Sequence, residues 1–394
     1  MIVRFSLGLI CAALLIAQQS LDHAWQLTAN GQPQEAITLL ERLITADPAN
    51  ADTRLLLGSL LMEQNQKAEC LDQLTAAVRL RPKSDEAQNA LGEAYVKFGD
   101  NAAARIAFEK AVALKPTSGI AQSNLGQALL AAGDVQAAAH HLEQAIHLLG
   151  KTDDAADAHY LRAKLYAQEE DTQQAVTQLE QAVAIRPNFA AAWSDLGQAR
   201  RTLQDDPGAL AAFERAVAAD PRDAVALYRL GAEYLRQNKP YLAVESLDKA
   251  YQLNPEDQST LNALQTALRR DGHPEAADRI KQQLTDLLRD KDRVNQNHLA
   301  GVKLNNEGAA LDKTGDLRGA LAKYREAARL YPEHAGIRTN YGVALLRLGQ
   351  WTDGLEELHQ ALLKDPKNEH LKAVLKDALA QAPPAAAPAW SKGP

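Results

Sequence analysis

Three asparagines and a cluster of aromatic, cationic and amide side chains are the residues of this chain best suited to recognition chemistry. Asn124, Asn306 and Asn340 each carry an amide that donates and accepts, so each can satisfy both the C=O and the N–H of an extended peptide backbone. Tyr160, Lys164, Ser194, Gln198, Arg201, Tyr228, Arg229 and Arg236 combine aromatics and arginines, the types enriched where binding energy concentrates, with hydroxyl and amide groups. They gather positive charge in a chain whose formal net charge is −7. A solvated helix face is the other reading of the same cluster.

Groups for covalent or metal chemistry are sparse. His140, His141 and His147 lie near one another, but no cysteine or carboxylate completes a tight metal-ligand spacing, so surface histidines are expected. Cys70 falls at a place reserved for small side chains and reads as inert packing. Gly-Gly and Gly-x-Gly tracts are absent, which leaves no phosphate loop. Tyr95, Tyr166 and Tyr234 recur at one register position and read as core. No catalysis, metal or cofactor is expected. The absence of a basic stripe also argues against nucleic acid.

The elements that position these groups must be helices. Alanine, leucine and glutamine are abundant and aromatics make up only 5%, a mix that favours helix nearly everywhere. Prolines supply a ruler: Pro48, Pro82 and Pro116 stand 34 residues apart, as do Pro187, Pro221 and Pro255, and Pro332 and Pro366. A 34-residue frame opened at Ala17 brings glycine to the eighth place of seven units, Gly58, Gly92 and Gly197 among them. The twentieth place is always small, and the twenty-seventh is alanine except at Leu43 and Leu284. Glycine inside a helix costs about 1 kcal/mol relative to alanine, so its recurrence requires a neighbouring element to come close.

This pattern resembles the tetratricopeptide repeat (TPR), whose period is 34 residues. Trp193, Leu196 and Gly197 match its opening, with Arg200 where tyrosine is usual. Leu91, Gly92, Tyr95, Ala104, Phe108, Ala111 and Pro116 are the fullest match, and the resemblance covers roughly residues 17–368. It implies an all-α solenoid, a right-handed superhelix of about ten helix–turn–helix repeats, with a groove lined by the first helix of each unit. Peptide ligands of the family lie in that groove, where the eleven recognition residues above are expected to face. Some TPR proteins use an asparagine ladder; here it is partial. The carboxylate clamp of chaperone-binding members needs lysine, asparagine and arginine in consecutive units, and Asn124 and Arg229 match it only in isolation.

Residues 1–17 read as a signal peptide cut after Ala17: Arg4, then an apolar run too short to span a bilayer. An uncleaved anchor and a buried first helix are the other readings. Residues 18–290 form an array of about eight repeats, the last degraded after Ala277. Residues 291–300 are a helical linker, 301–380 two repeats plus a capping helix, and 381–394 an Ala/Pro-rich disordered tail. One helix from Pro274 to about Leu311 joins the two blocks, unless it breaks near Asp290–Asn297.

The expected function is a non-catalytic scaffold or adaptor, periplasmic or secreted, that binds proteins or extended peptide segments and has no membrane span after cleavage. The alternatives are a non-catalytic recognition subunit of an envelope enzyme complex, such as a glycosyltransferase or peptidase, and a self-associating homo-oligomer.

Overall fold

The computed structural model of the protein describes residues 19–386, 388 and 390. Over these residues the chain is a run of α-helices without strands, in two compact units, one ending at Pro255 and the other starting at Glu256. The expected signal segment, with Cys11, lies outside the described residues. Among the described residues no helix is long and apolar enough to cross a membrane.

The first unit holds seven helix–turn–helix pairs. They are α1 (19–29) with α2 (Pro33–Ala46), α3 (Ala51–Glu63) with α4 (Lys67–Leu80), and α5 (Asp85–Lys97) with α6 (Asn101–Leu114). Next come α7 (Gly119–Ala131) with α8 (Val135–Leu149), and α9 (Asp154–Gln168) with α10 (Thr172–Ile185). The last are α11 (Ala190–Thr202) with α12 (Asp206–Ala219), and α13 (Ala224–Arg236) with α14 (Pro240–Leu253).

The frame that aligns the prolines also aligns helix caps. Asp100, Asp134, Asp171 and Asp205 accept backbone N–H bonds at the start of second helices, and Asn50, Ser84, Ser118 and Asp223 do so for first helices. Each such cap contributes about 1 kcal/mol. The turn inside each pair needs one left-handed residue. Glycine fills it at Gly99 and Gly133, whereas Asn65, Glu170, Gln204 and Asn238 adopt it despite a side chain.

The recurring glycine has a specific neighbour. A Cβ on Gly197 would stand 2.6 Å from the Phe213 ring, and one on Gly92 would strike Phe108. Gly58 and Leu74, and Gly231 and Leu247, repeat the relation. Where the first helix carries this glycine, it is thus the socket for a large apolar side chain of its own second helix; α1 and α9 have Ala24 and Ala163 at that place instead. The small residues at the twentieth place bring the backbones together beside it: the Ala243 carbonyl lies 3.3 Å from the Cβ position of Gly231. Close packing of this kind is felt at the level of single methyl groups.

Between α8 and α9 the repeat is lengthened. Gly150 (φ 62°) ends α8, which at 15 residues is one longer than α6 or α10. Arg186 at the end of α10 clamps the longer turn, donating to Asp157 (2.7 Å) and to both the side chain and the carbonyl of Asp153.

The second unit contains α15 (Gln258–Arg270), α16 (Pro274–Lys313), α17 (Leu317–Leu330), α18 (Ala335–Arg347), α19 (Trp351–Lys364) and α20 (Glu369–Gln381). Helix α16 runs 40 residues without a break, through positions 290–297. Its first half pairs with α15 and its second half with α17, where Gly308 takes the Tyr324 ring. Residues 288–296 are exposed all round and are supported by i,i+3 ion pairs, Asp286–Arg289 and Asp290–Arg293. Repeat counting groups the eighth repeat with the first array, but compactness groups α15 with the second unit, because α16 belongs to two pairs at once. The tail, expected to be disordered, packs where it is described. A short 3₁₀ turn (Pro384–Ala386) leads to Trp390, which stacks on His359 at 4.1 Å and donates its indole N–H to Glu356. A lone aromatic in an Ala/Pro-rich tail buries apolar area on α19 while its N–H finds a carboxylate.

Candidate groove in the first unit

The polar side chains on the first helices of this unit are joined by one rule. The residue at the fifth place of a repeat bonds the residue at the sixth place of the next, 35 positions on. Asn124 donates to Asn89 (3.0 Å), Tyr160 to Asp195 (3.0 Å), and Arg229 to Ser194 (2.8 Å). Arg229 also bonds Asp195 at 3.1 Å, so Tyr160, Ser194, Asp195 and Arg229 form one network across α9, α11 and α13. Burial first, and then the Asp195 carboxylate, push the Tyr160 phenol well above its usual value, so it stays a donor through the neutral range. In the second unit the same rule pairs Asn340 with Asn305 (2.9 Å), while Asn306 is exposed on α16.

This pairing changes what the candidate residues offer. The donors of Asn124 and Asn340 tie neighbouring repeats together. Arg229 is neutralised by Asp195. Arg201 donates to Gln198 on its own helix at 2.6 Å. Arg236 is held by the buried Glu233 and by Asp206 at the start of α12. Tyr228 is half-buried on α13.

Two cavities open between the first helices. One of about 410 Å³ lies between α7 and α9 and takes in Asn124, Tyr160 and Lys164. A second of about 400 Å³ lies between α9 and α11 and takes in Lys164, Asp195 and Gln198. Lys164 belongs to both, with its ammonium 5.7 Å from the Tyr160 ring.

The sequence reading passed over Glu93, Asn89 and Asp195. The signal that finds Asn89 and Asp195 is the 35-residue spacing between polar residues, which a 34-residue period hides; Glu93 has no such signal. Glu93 accepts from Asn89 (2.8 Å) and Asn124 (3.0 Å) at the edge of the first cavity. Burial raises its pKa, with the two amide bonds working in the opposite direction. A carboxyl whose folded value is raised binds its proton more readily when folded, so its contribution to stability falls as pH rises above the unfolded value. Glu93→Gln is therefore expected to melt at a higher temperature than wild type at pH 7.5. Below about pH 4, where the carboxyl is protonated in both states, the two should melt together. Thermal scans at the two pH values check this.

Cys70 is fully enclosed on α4, and burial pushes its thiol up to about 11. Iodoacetamide at pH 8 should leave Cys70 unmodified in the native protein and label it fully in denaturant, as read by peptide mass spectrometry. His141 is engaged with Gln122 at 2.7 Å, and its ring meets His140 edge-on.

Family models described as tetratricopeptide repeat match residues 27–94, 85–118 and 313–378, and 123–258 in three overlapping stretches. No curated protein matches the chain in sequence. Among solved structures the chain is similar to PilF of Pseudomonas aeruginosa, at 16% identity and a TM-score of 0.50 over 55% of this chain and 96% of that one. It is also similar to a tetratricopeptide repeat protein of Parabacteroides merdae (14%, TM-score 0.48, 64% of this chain and 98% of that one). A third is YrrB, described as a TPR protein with an unusual peptide-binding site (21%, TM-score 0.39, 48% and 96%). At these identities the likeness concerns the fold.

Proposed function

The chain belongs to the tetratricopeptide repeat family and is a protein-interaction scaffold, and we propose that it holds an extended segment of a partner protein along α7, α9 and α11. The observation that carries this reading is the pair of adjoining cavities on successive first helices, both bordered by Lys164. Hydrogen bonds from repeat to repeat fix the walls before any ligand arrives, which lowers the ordering cost of binding. The role is non-catalytic. The signal-like start of the sequence supports export to a bacterial envelope as the setting.

The test is a cross-linking pull-down from envelope extract with tagged protein, run beside a Tyr160→Ala, Lys164→Ala, Gln198→Ala triple variant of unchanged helicity. A partner held by wild type and lost by the variant is the expected result. The same partner held equally by both would move the site away from α7–α11.

A further inference from the structure

We propose that the cavity between α7 and α9 takes a basic side chain, arginine or lysine, carried next to an apolar residue in the partner segment. This rests on the groove reading above and adds the chemistry of what enters it.

The floor is apolar and is a product of the lengthened repeat. Leu149 is present because α8 runs one residue longer than its neighbours, and it fits because α7 begins with Gly119, where a Cβ would stand 2.6 Å from Leu149 Cγ. Ile120, Leu161 and Phe189 add to this apolar lining, and Ile120 is 44% exposed. Such a surface accepts an aliphatic side chain or the methylene stem of a long cationic one.

The walls are acidic. Glu93, Asp154 and Asp157 line the cavity against one cation, Lys164. Of these only Asp157 has a counter-ion, Arg186. Glu93 is held by two neutral amides, and its charged form is disfavoured by burial. Asp154, in the first turn of α9, pairs with no cation among the described residues. A guanidinium or ammonium that enters the cavity meets lining carboxylates without an ion-pair partner, Glu93 on one side and the exposed Asp154 on the other, and can donate charge-assisted hydrogen bonds to either. An acidic segment would add a further negative charge to a lining in which carboxylates already outnumber cations. The cationic residues that sequence suggested for the ligand site are mostly paired within the protein, so the cation comes from the partner.

The experiment uses the full chain and fluorescein-labelled peptides Gly-Ser-Leu-X-Leu-Ser-Gly, with X as arginine, glutamine or glutamate, read by fluorescence anisotropy. The arginine peptide is expected to bind about ten-fold or more tightly than the glutamate peptide, with the margin shrinking in high salt. In the Glu93→Gln, Asp154→Asn variant, which keeps shape and hydrogen bonding, the margin should fall below about three-fold; Lys164→Ala should widen it. A glutamate peptide that binds as well as arginine overturns the proposal, as does a margin unchanged in the double variant, or no arginine-peptide binding up to about 1 mM. Equal binding of all three peptides, lost in the Tyr160, Lys164, Gln198 variant, would overturn the basic preference while leaving the groove in place. Failure of all three alongside an intact pull-down would overturn the subsite without touching the scaffold.

Discussion

Phe213→Ala is expected to destabilise the sixth repeat by about 3–5 kcal/mol, the range for removing a fully buried phenylalanine. The informative measurement is what happens next to it. Gly197→Ala alone places a Cβ against the Phe213 ring at 2.6 Å and should cost about 1–3 kcal/mol through overpacking, which outweighs the gain in helix propensity of about 1 kcal/mol. In the Phe213→Ala background the ring is gone. Gly197→Ala should then be neutral or stabilising, so its sign reverses and the pair shows strong non-additivity. Urea unfolding of the four proteins, with hydrogen exchange of α11 and α12, measures this. Because repeat stability is a sum of neighbouring terms, protection should be lost first around these two helices and less at α3–α4. An equal cost of Gly197→Ala in both backgrounds would mean that the glycine serves backbone approach instead of the ring.

That cycle bears on how much of the fold was readable beforehand. Proline spacing and the small residues at the eighth and twentieth places were sufficient to place nearly every helix, because both report on steric rules that side-chain chemistry cannot relax. The glycines were legible as close approaches, but the identity of the approaching group was not. Proximity of Gly197 to Phe213 depends on a rotation between two helices that linear spacing does not encode. Apolar spacing through Leu287 and Val294 pointed to one helix but left a break near Asp290–Asn297 open, because the polar run there has nothing to bury; the structure has a single helix, α16. Its membership of two helix pairs was not legible, since that follows from packing. Nor was the packing of Trp390: an Ala/Pro-rich composition offers little to bury, but one aromatic side chain is enough to seat that residue on α19.

For the groove, residue types were legible and pairing states were not. Tyr160, Lys164, Gln198 and Asn124 line the cavities as the frame places them. The surplus of arginine looked like an available positive surface because sequence shows charges without their partners. Asp195 and Asp206 take up Arg229 and Arg236 from other helices and Glu233 takes up Arg236 within α13, at separations of 34, 30 and 3 residues that no single periodicity picks out. Glu93 escaped notice for the converse reason. One glutamate in an acidic chain carries no signal until burial and two amide bonds set it apart.

Arg236 is where these two readings separate by experiment. On α13 its guanidinium donates to Glu233 at 2.6 and 3.1 Å and to Asp206 at 2.7 Å, tying the end of one first helix to the start of the preceding second helix. Glu233 is fully buried, and without the arginine only the Gln237 amide, at 2.9 Å, would remain on it. Leaving a buried carboxylate unpaired costs about 3–5 kcal/mol. Arg236 is itself 40% exposed and its pair is partly screened, so Arg236→Ala is expected to cost about 2–3 kcal/mol. Glu233→Gln introduced beside it should restore part of that loss by removing the stranded charge. Arg236 also holds the Asp206 carboxyl below its ordinary value through their hydrogen bond. A lowered folded value contributes stability above the unfolded one and loses it as pH falls, so the gap between wild type and Arg236→Ala should narrow on acidification below about pH 4. Partner affinity, measured where both proteins remain folded, should be unchanged, because Arg236 lines neither cavity. Full stability with lost affinity would instead return Arg236 to the groove. It would also imply that Glu233 finds another partner when the guanidinium turns towards the ligand.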